Sequence, residues 1–398
     1  MVDYVIRVHA SPLEIDQEAW DGLLQTQSHA TPFMRHAYLS ALHASGSACA
    51  DTGWEPRFVT LHDDAGLASA AVLYVKDHSM GEYVFDWAWA NAYQQHRVPY
   101  YPKAVVAVPF TPVPGSRLLA RDATARLTLV QAMVEASRQW NLSSLHLLFG
   151  AEEDVAACEQ AGLMLRHTVQ FHWNNSAEGY ADFDSFLASL SQEKRKKIRQ
   201  ERRKVSDAGV TFRHAEGAAI SQRDWDFFYS CYERTYLEHG NAPYLSPDFF
   251  QRMAHTMPEN WLLFVAERDG RPIASSLIAI GSYPAMGGEP ASATGLENVA
   301  YGRYWGALER VDCLHFEACY YQPLEWCIAK GYQRFEGGAQ GEHKMARALL
   351  PVKTTSAHWI AHPEFSDAIA RFLEREDTGT ANYMDDLNAR TPFRKEQA

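Results

Sequence analysis

The order in which helical and extended patterns follow one another constrains this chain most, because the same order occurs twice. In the first half, apolar residues at helical spacing run from Trp20 to Leu24 and from Ala37 to Leu42. Arg57 to Leu61 and Ser69 to Val75 flank Asp63-Asp64-Ala65-Gly66, a pattern that predicts an antiparallel hairpin. A strand (Ala104–Val108), a helix (Asp122–Trp140, with Asp122 as N-cap), a strand (Ser144–Phe149), a helix (Ala151–Ala161) and a strand (Met164–Trp173) follow. The second half predicts helices over Phe183–Ser206 and Gln222–His239, then a hairpin of Trp261–Glu267 and Pro272–Gly281 across Asp269-Gly270. Val299–Tyr304 reads as a strand and His315–Lys330 as a helical region stopped by Gly331. Strands at Tyr332–Glu336 and Thr354–Ile360 and a helix at Phe365–Glu374 close it. Two α/β (α+β) domains are therefore expected, each a mixed, mostly antiparallel sheet flanked by helices. The polar, turn-rich stretch Asn174–Gly179 sets the expected boundary, giving domains 1–175 and 176–398.

Length supports this division, since 398 residues suffice for two separate cores. No run of about 18 apolar residues is present, so no membrane span is expected. Met1 to Ala10 alternates in polarity and reads as a first strand rather than a secretion signal. Cys49, Cys158, Cys231, Cys313, Cys319 and Cys327 form no CxxC pair, which points to a reducing, cytoplasmic setting. A net charge of -12 excludes a protein that coats nucleic acid with its whole surface, but leaves room for a local basic site.

One such site is legible. Between Glu193 and Lys204 there are eight Lys or Arg residues and two Glu, a local net of +6. Eight cations on one helix repel one another, and clustered guanidinium and ammonium groups neutralise phosphates. Arg195, Lys196, Arg199 and Arg203 are the expected phosphate-binding residues; a solvated helix face is the plainer reading. In the first half, Asp86-Trp87-Ala88-Trp89-Ala90 and Tyr100-Tyr101-Pro102-Lys103 concentrate aromatics in what reads as an irregular loop. Either they pack as a satellite core, or Trp89, Tyr101 and Lys103 wall a substrate groove.

The densest polar cluster lies between Tyr301 and Arg347. Tyr301-Gly302-Arg303-Tyr304-Trp305-Gly306 ends a strand, and Leu314 to Gln322 opens a helical region containing His315 and Glu317. Pro323 either kinks that helix or sits in its first turn, in which case His315 and Glu317 lie on an extended lead-in. Glu336-Gly337-Gly338-Ala339-Gln340-Gly341-Glu342-His343-Lys344 follows a buried-looking strand. Its glycines allow tight turns or close approach to a ligand. Moving an acyl group to an amine requires a base, a donor to the developing oxyanion, and cations for a phosphate-bearing co-substrate. Glu342, His343, His315, Glu317 and Arg303 are the candidate catalytic residues. Gln340, Lys344, Arg347, Tyr304, Trp305 and Tyr321 are the candidate substrate contacts on this surface. The His and Glu spacing matches no HExxH helix, and an HxE pattern without a PCxxC partner is not a deaminase site; no metal is expected.

The strings YGRYWG, LHFEACYYQ, EGGAQGEHKMAR, TTSAHWI, YYPK, VPFTPVPGSRLL and SQEKRKKIRQERRK resemble those of the bacterial FemAB-like family, over about Pro32 to Glu376. That resemblance implies tandem GNAT-like acyltransferase domains and transfer of an acyl or aminoacyl group to an amine. The co-substrate would be acyl-CoA or aminoacyl-tRNA, with no tightly bound cofactor. The acceptor would be a small-molecule, peptide or glycan-linked amine, and tRNA would be a partner. The Q/R-x-x-G-x-G/A loop of ordinary GNAT enzymes is absent in its usual form; Gln340-Gly341-Glu342-His343 is its nearest counterpart. The competing expectation is a non-catalytic protein that binds a phosphorylated ligand or nucleic acid through residues 193–204.

Overall fold

The computed structural model describes residues 3–284, 295–339 and 341–394, and the chain folds into two compact units. The first comprises residues up to Val169 together with Lys353–Met384; the second comprises Gln170–Val352 and the residues from Asp385.

The first unit contains β1 (Val5–His9), α1 (Gln17–Gln25), α2 (His36–Ala44), β2 (Glu55–Asp63), β3 (Gly66–Lys76) and α3 (Trp87–Gln95). It continues with β4 (Lys103–Val106), β5 (Leu119–Ala120), α4 (Ala123–Gln139), β6 (Ser144–Leu147), α5 (Glu152–Gln160) and the start of β7 (Met164–Asn174). The expected hairpin is β2–β3, turned by Gly66 at φ 105°. Asp122 caps α4 by accepting from the Ala125 amide at 2.8 Å. The stretch read as an aromatic loop is partly the helix α3. In strand order the sheet runs β1-β2-β3-β4-β6, antiparallel except for the parallel pair β4–β6, and β5 adds to β3.

The second unit contains the end of β7, α6 (Phe183–Ser189), α7 (Gln192–Asp207), β8 (Val210–Glu216), α8 (Gln222–Glu238), α9 (Pro247–Thr256), β9 (Trp261–Arg268) and β10 (Arg271–Pro284). β11 (Leu296–Ala307), α10 (Leu314–Phe316), α11 (Gln322–Ala329) and β12 (Arg334–Ala339) follow. Its sheet runs β7-β12-β11-β10-β9-β8, again antiparallel except for one pair, β11–β12. The β9–β10 turn places Asp269 (φ 52°) and Gly270 (φ 71°) in the left-handed region, as a two-residue hairpin turn demands. α8 lies so close to β11 that a Cβ at Gly306 would overlap the Cys231 carbonyl.

The last strand and helix, β13 (Leu350–Ile360) and α12 (Pro363–Ala389), depart from the expected boundary. Residues 353–384 belong to the first unit, where β13 pairs antiparallel with β6 and Ile360, Ile369 and Leu373 pack on Trp89, Tyr93 and Tyr100. Burial of that apolar set decides the assignment, and sequence order carries no information about it.

The lead-in to α11 also differs from expectation. Residues 314–321 are helical, and Glu317–Tyr321 form a π turn. The wider turn accommodates Pro323, which has no amide hydrogen and would crowd the carbonyl four residues back. Gly331 ends α11 at φ 68°, as expected. Among the described residues no helix is long and apolar enough to cross a membrane, and all six cysteines are free.

Candidate functional site

In the second unit the sheet opens along β11. This strand pairs in parallel with β12 only over Val299–Tyr301 and Arg334–Glu336. Its pairing with β10 jumps from Leu277↔Tyr304 to Ile278↔Gly302, so Arg303 is a bulge residue. Bulges re-aim a strand and are frequent beside functional sites. Past Tyr301 β11 continues along β10, while β12 leaves through Gly337 and Gly338, the latter at φ 77°. The result is a notch between two parallel strands.

Four side chains group beside the freed stretch of β11. Trp305 stands on the strand itself, and the His315 ring lies 5.5 Å from it and 5.7 Å from the Tyr320 ring. The π turn that carries Tyr320 is tied to the sheet by Ser276, whose hydroxyl donates to the Ala318 carbonyl at 2.6 Å. His343, on the 3-10 turn Glu342–Arg347, places Nε2 at 3.3 Å from the Tyr320 hydroxyl. Burial lowers the pKa of His343, and the positive Arg347 and Lys344 lower it further. Burial, with His343 and Arg347, brings His315 down to about 4. Both imidazoles are therefore neutral at pH 7 and able to accept a proton. Lys344 is buried and donates to the Gly338 carbonyl at 3.0 Å; desolvation lowers it to about 8. Burial pushes the Cys319 thiol up, which keeps it protonated and suits a packing role.

Other sequence candidates hold the framework. Arg347 is 1% exposed. It donates to the His343 carbonyl at 2.6 Å and to Glu201 of α7 at 2.7 Å, and its guanidinium lies 3.6 Å from the Phe316 ring centre. Tyr321 is buried and donates to the same Glu201. Tyr304 is packed among Phe228, Tyr232 and Phe250. Burial thus replaces the expected substrate contact with a structural one at Arg347, Tyr321 and Tyr304. Glu317 is buried, accepting from Arg202 at 3.1 Å and from Gln322 at 2.8 Å. His315 and Glu317 have different neighbours, aromatic and cationic respectively. Arg303 is half-buried, 5.1 Å over the Tyr304 ring. Glu342 is exposed and paired with Arg390 at 3.1 Å. Gln340 lies outside the described residues.

Sequence reasoning did not single out Tyr320 or Glu201. The signal for Glu201 was its place on the apolar stripe of α7, three residues after Ile198 and four before Val205.

The predicted groove of the first unit is instead a buried ion network. Lys103 is 0% exposed and donates to Ser79 and Glu82, each at 2.8 Å, and to Asp86. Tyr100 donates to Asp86 at 2.6 Å, and the Tyr101 hydroxyl meets Ser79 at 2.8 Å. Trp89 is buried 4.9 Å from the His358 ring. A lysine stem buried this deeply needs paired carboxylates, so Lys103, Trp89 and Tyr100 belong to the core, while Tyr101 is half-buried and Trp87 exposed. The notch equivalent, between β4 and β6, is closed. Gly115 bridges Gly150, and buried Arg117 donates to the carbonyls of Leu148 at 3.1 Å and Gly115 at 3.3 Å.

On α7, Lys196, Arg199 and Arg203 are exposed and Arg195 is half-buried. Arg199 and Arg203, with Arg202, line a cleft of about 620 Å³ beside α6 and β8. Arg195 and Lys196 do not line it.

The buried histidines make the second unit acid-sensitive. Burial takes His172 down to about 3 and His315 to about 4. Above pH 6.5 neither folded nor unfolded chain protonates them; below it only the unfolded chain does. Stability is thus present above pH 6.5 and lost as pH falls towards 4, by at most about 3 kcal/mol per pH unit for the two together. Hydrogen exchange of α7 and β11 peptides at pH 7 and pH 5 measures the effect; equal protection at both would contradict it.

A family model described as FemAB-like, peptidoglycan biosynthesis/recognition, matches residues 11–395. No curated protein matches the chain by sequence. Among solved structures it is similar to the C-terminal domain of a putative lysylphosphatidylglycerol synthetase from Agrobacterium fabrum (12% identity, 92% of this chain and 97% of that one, TM-score 0.52). It is similar to FemX (10% identity, 89% and 98%, TM-score 0.52) and to L-PGS from Bacillus licheniformis (12%, 90% and 97%, TM-score 0.52). The fold shared with them is the expected one of mixed, mostly antiparallel sheets flanked by helices.

Proposed function

Because the chain belongs to the FemAB-like family of peptidoglycan biosynthesis/recognition proteins, we propose that it transfers an acyl or aminoacyl group to an amine at the β11 notch. The observation that carries this reading is the neutral His343 in contact with Tyr320, beside strands that part at a bulge.

In the proposed step the acceptor nitrogen attacks the donor's carbonyl carbon, and the amine proton passes to His343 Nε2. The carbonyl oxygen becomes an oxyanion, which Lys344 stabilises together with backbone amides bordering the notch. The bond from carbon to the donor's oxygen or sulfur then breaks, and the leaving group takes a proton through the Tyr320 hydroxyl. Trp305 and His315 wall the acyl group. Arg303 and Gln340 are proposed to border the substrate, and Glu317 holds the π turn rather than reacting.

Arg195, Lys196, Lys197 and Arg203 have no anionic partner among the described residues, which supports a phosphate-bearing co-substrate. The altered Gln340–His343 loop favours aminoacyl-tRNA over acyl-CoA, and an amine of a peptidoglycan precursor as acceptor. The test is amide formation from labelled aminoacyl-tRNA or acyl-CoA with a peptidoglycan pentapeptide. His343→Ala is expected to lower the rate about 100-fold or more with the fold intact. Glu342→Gln removes the surface ion pair with Arg390 and should stay within about fivefold. Full activity in His343→Ala would remove the assignment of this cluster.

A further inference from the structure

Helices α8 and α9 border a cavity of about 180 Å³ that the chemistry above does not use. Trp225 and Tyr229 stand one helical turn apart on α8, and Pro247, Phe250 and Gln251 share one face of α9, so each helix turns a face into it. Trp225 and Phe250 are buried and make its floor; Tyr229 is half-buried, and Asp226 and Pro247 are exposed at its rim. The floor is fixed by packing. The Phe250 ring lies 5.0 Å from that of Phe228, 5.3 Å from Tyr232 and 5.5 Å from Tyr304. Trp225 meets Phe228 at 6.1 Å and Trp261 at 6.3 Å, both edge-on. The Phe250 ring centre is 6.4 Å from that of Trp225 and 6.0 Å from that of Tyr229, so three rings converge on one small space.

Elsewhere this chain covers ring faces with cations of its own. Lys76 lies 3.3 Å from the Trp54 ring centre, Arg347 3.6 Å from that of Phe316 and Arg202 4.8 Å from that of Phe183. Among the described residues no Lys or Arg does so over Trp225, Tyr229 or Phe250. The lining carries one charge, the Asp226 carboxylate. It accepts from Gln222 at 2.8 Å and pairs with no cation among the described residues. Ring faces and a carboxylate around one space attract a cation. A hydrated inorganic ion gains nothing from apolar walls, whereas an alkylated ammonium covers them and keeps its charge against the rings. The volume is below the ~300–1,000 Å³ of sites for drug-sized ligands, so it suits a head group. We propose that this cavity binds an alkylammonium head group, walled by Trp225, Tyr229 and Phe250 and neutralised by Asp226. This rests on the cavity alone, so it stands or falls separately from the transfer reading.

Calorimetric titration of the full chain tests it with choline, phosphocholine and the uncharged isostere 3,3-dimethylbutan-1-ol. One saturable site is expected for at least one of the two cations, with the alcohol roughly tenfold weaker or more. Asp226→Asn should weaken the cation about threefold or more and leave the alcohol nearly unchanged. Tyr229→Leu keeps apolar bulk but removes a ring face, and should likewise weaken the cation alone. Glu238→Gln removes the same charge from the same helix about 18 Å further along and should change neither ligand. Asp226 and Glu238 are exposed and Tyr229 is half-buried, and circular dichroism checks that the variants fold. Phosphocholine binding at least as tightly as choline marks the head of a phosphate ester; weaker binding marks a free alkylammonium. Failure of both cations to bind, the alcohol binding as tightly as they do, unchanged cation affinity in Asp226→Asn or Tyr229→Leu, or equal weakening in Glu238→Gln would overturn the proposal.

Discussion

Glu201→Ala is expected to destabilise the second unit by about 3–5 kcal/mol, the cost of leaving a buried charge without its partner. Arg347 is almost wholly buried, and among the described residues its guanidinium has one carboxylate, Glu201, at 2.7 Å. The substitution strands that charge and also removes the acceptor of the Tyr321 hydroxyl. Stacking on Phe316 and the bond to the His343 carbonyl remain, but neither neutralises a cation. Replacing the pair together, Glu201→Leu with Arg347→Met, should recover most of the loss, because no ion is then left in the interior. Urea denaturation of the single and double variants measures both quantities. A single-variant loss below about 1 kcal/mol would mean that the pair is hydrated and the geometry above misassigned.

In the first unit, Lys103→Met is expected to cost a similar 3–5 kcal/mol. Lys103 pairs with Glu82 and Asp86, both within a few per cent of full burial, and Lys76 lies 3.7 Å from Glu82 as the second cation of the network. Burial raises Glu82 to about 7, against the pull of Lys103, so once the lysine is gone Glu82 takes a proton at little further cost. Asp86 has no such escape: desolvation raises its pKa, but Lys103 holds it low, with Tyr100 and Ser79 as further donors. Lys103→Met/Asp86→Asn should therefore be less destabilised than Lys103→Met alone. The same variants separate a framework role from the substrate contact read in the sequence. At a temperature where Lys103→Met is folded, KM for donor and acceptor should match the unsubstituted protein; a selective rise in KM would restore Lys103 to a binding surface.

These two sites illustrate where sequence reasoning reached its end. A lysine among tyrosines and tryptophans reads equally well as a groove wall or a core ion pair, since both use the same residue types. Only the burial of Ser79, Glu82 and Asp86 around Lys103 separates them, and those residues lie 17 to 24 positions away. Glu201 was masked for a related reason. It sits in a run of cations whose summed charge dominates, while its partner Arg347 is 146 residues distant. The pattern of α7 contained the clue, an acid on the apolar stripe, but not the partner.

Local chemistry was legible wherever it was self-contained. The two hairpins, the Asp122 cap, the Gly331 stop and the helical spacings depend on residues within a few positions of one another, and the fold keeps each of them. The density of polar and glycine residues from Tyr301 to Arg347 likewise marked the stretch that forms the notch, its bulge and its histidines. The sequence by itself thus determined most of the elements, α3, β8 and α9 excepted, their twofold order and the stretch that forms the notch. The tertiary structure alone decided that residues 353–384 fold with the first unit, that Pro323 is met by a π turn, and which polar side chains face the notch and which are sealed inside. Those outcomes depend on desolvation and on pairings between residues tens to hundreds of positions apart, and no local pattern records either.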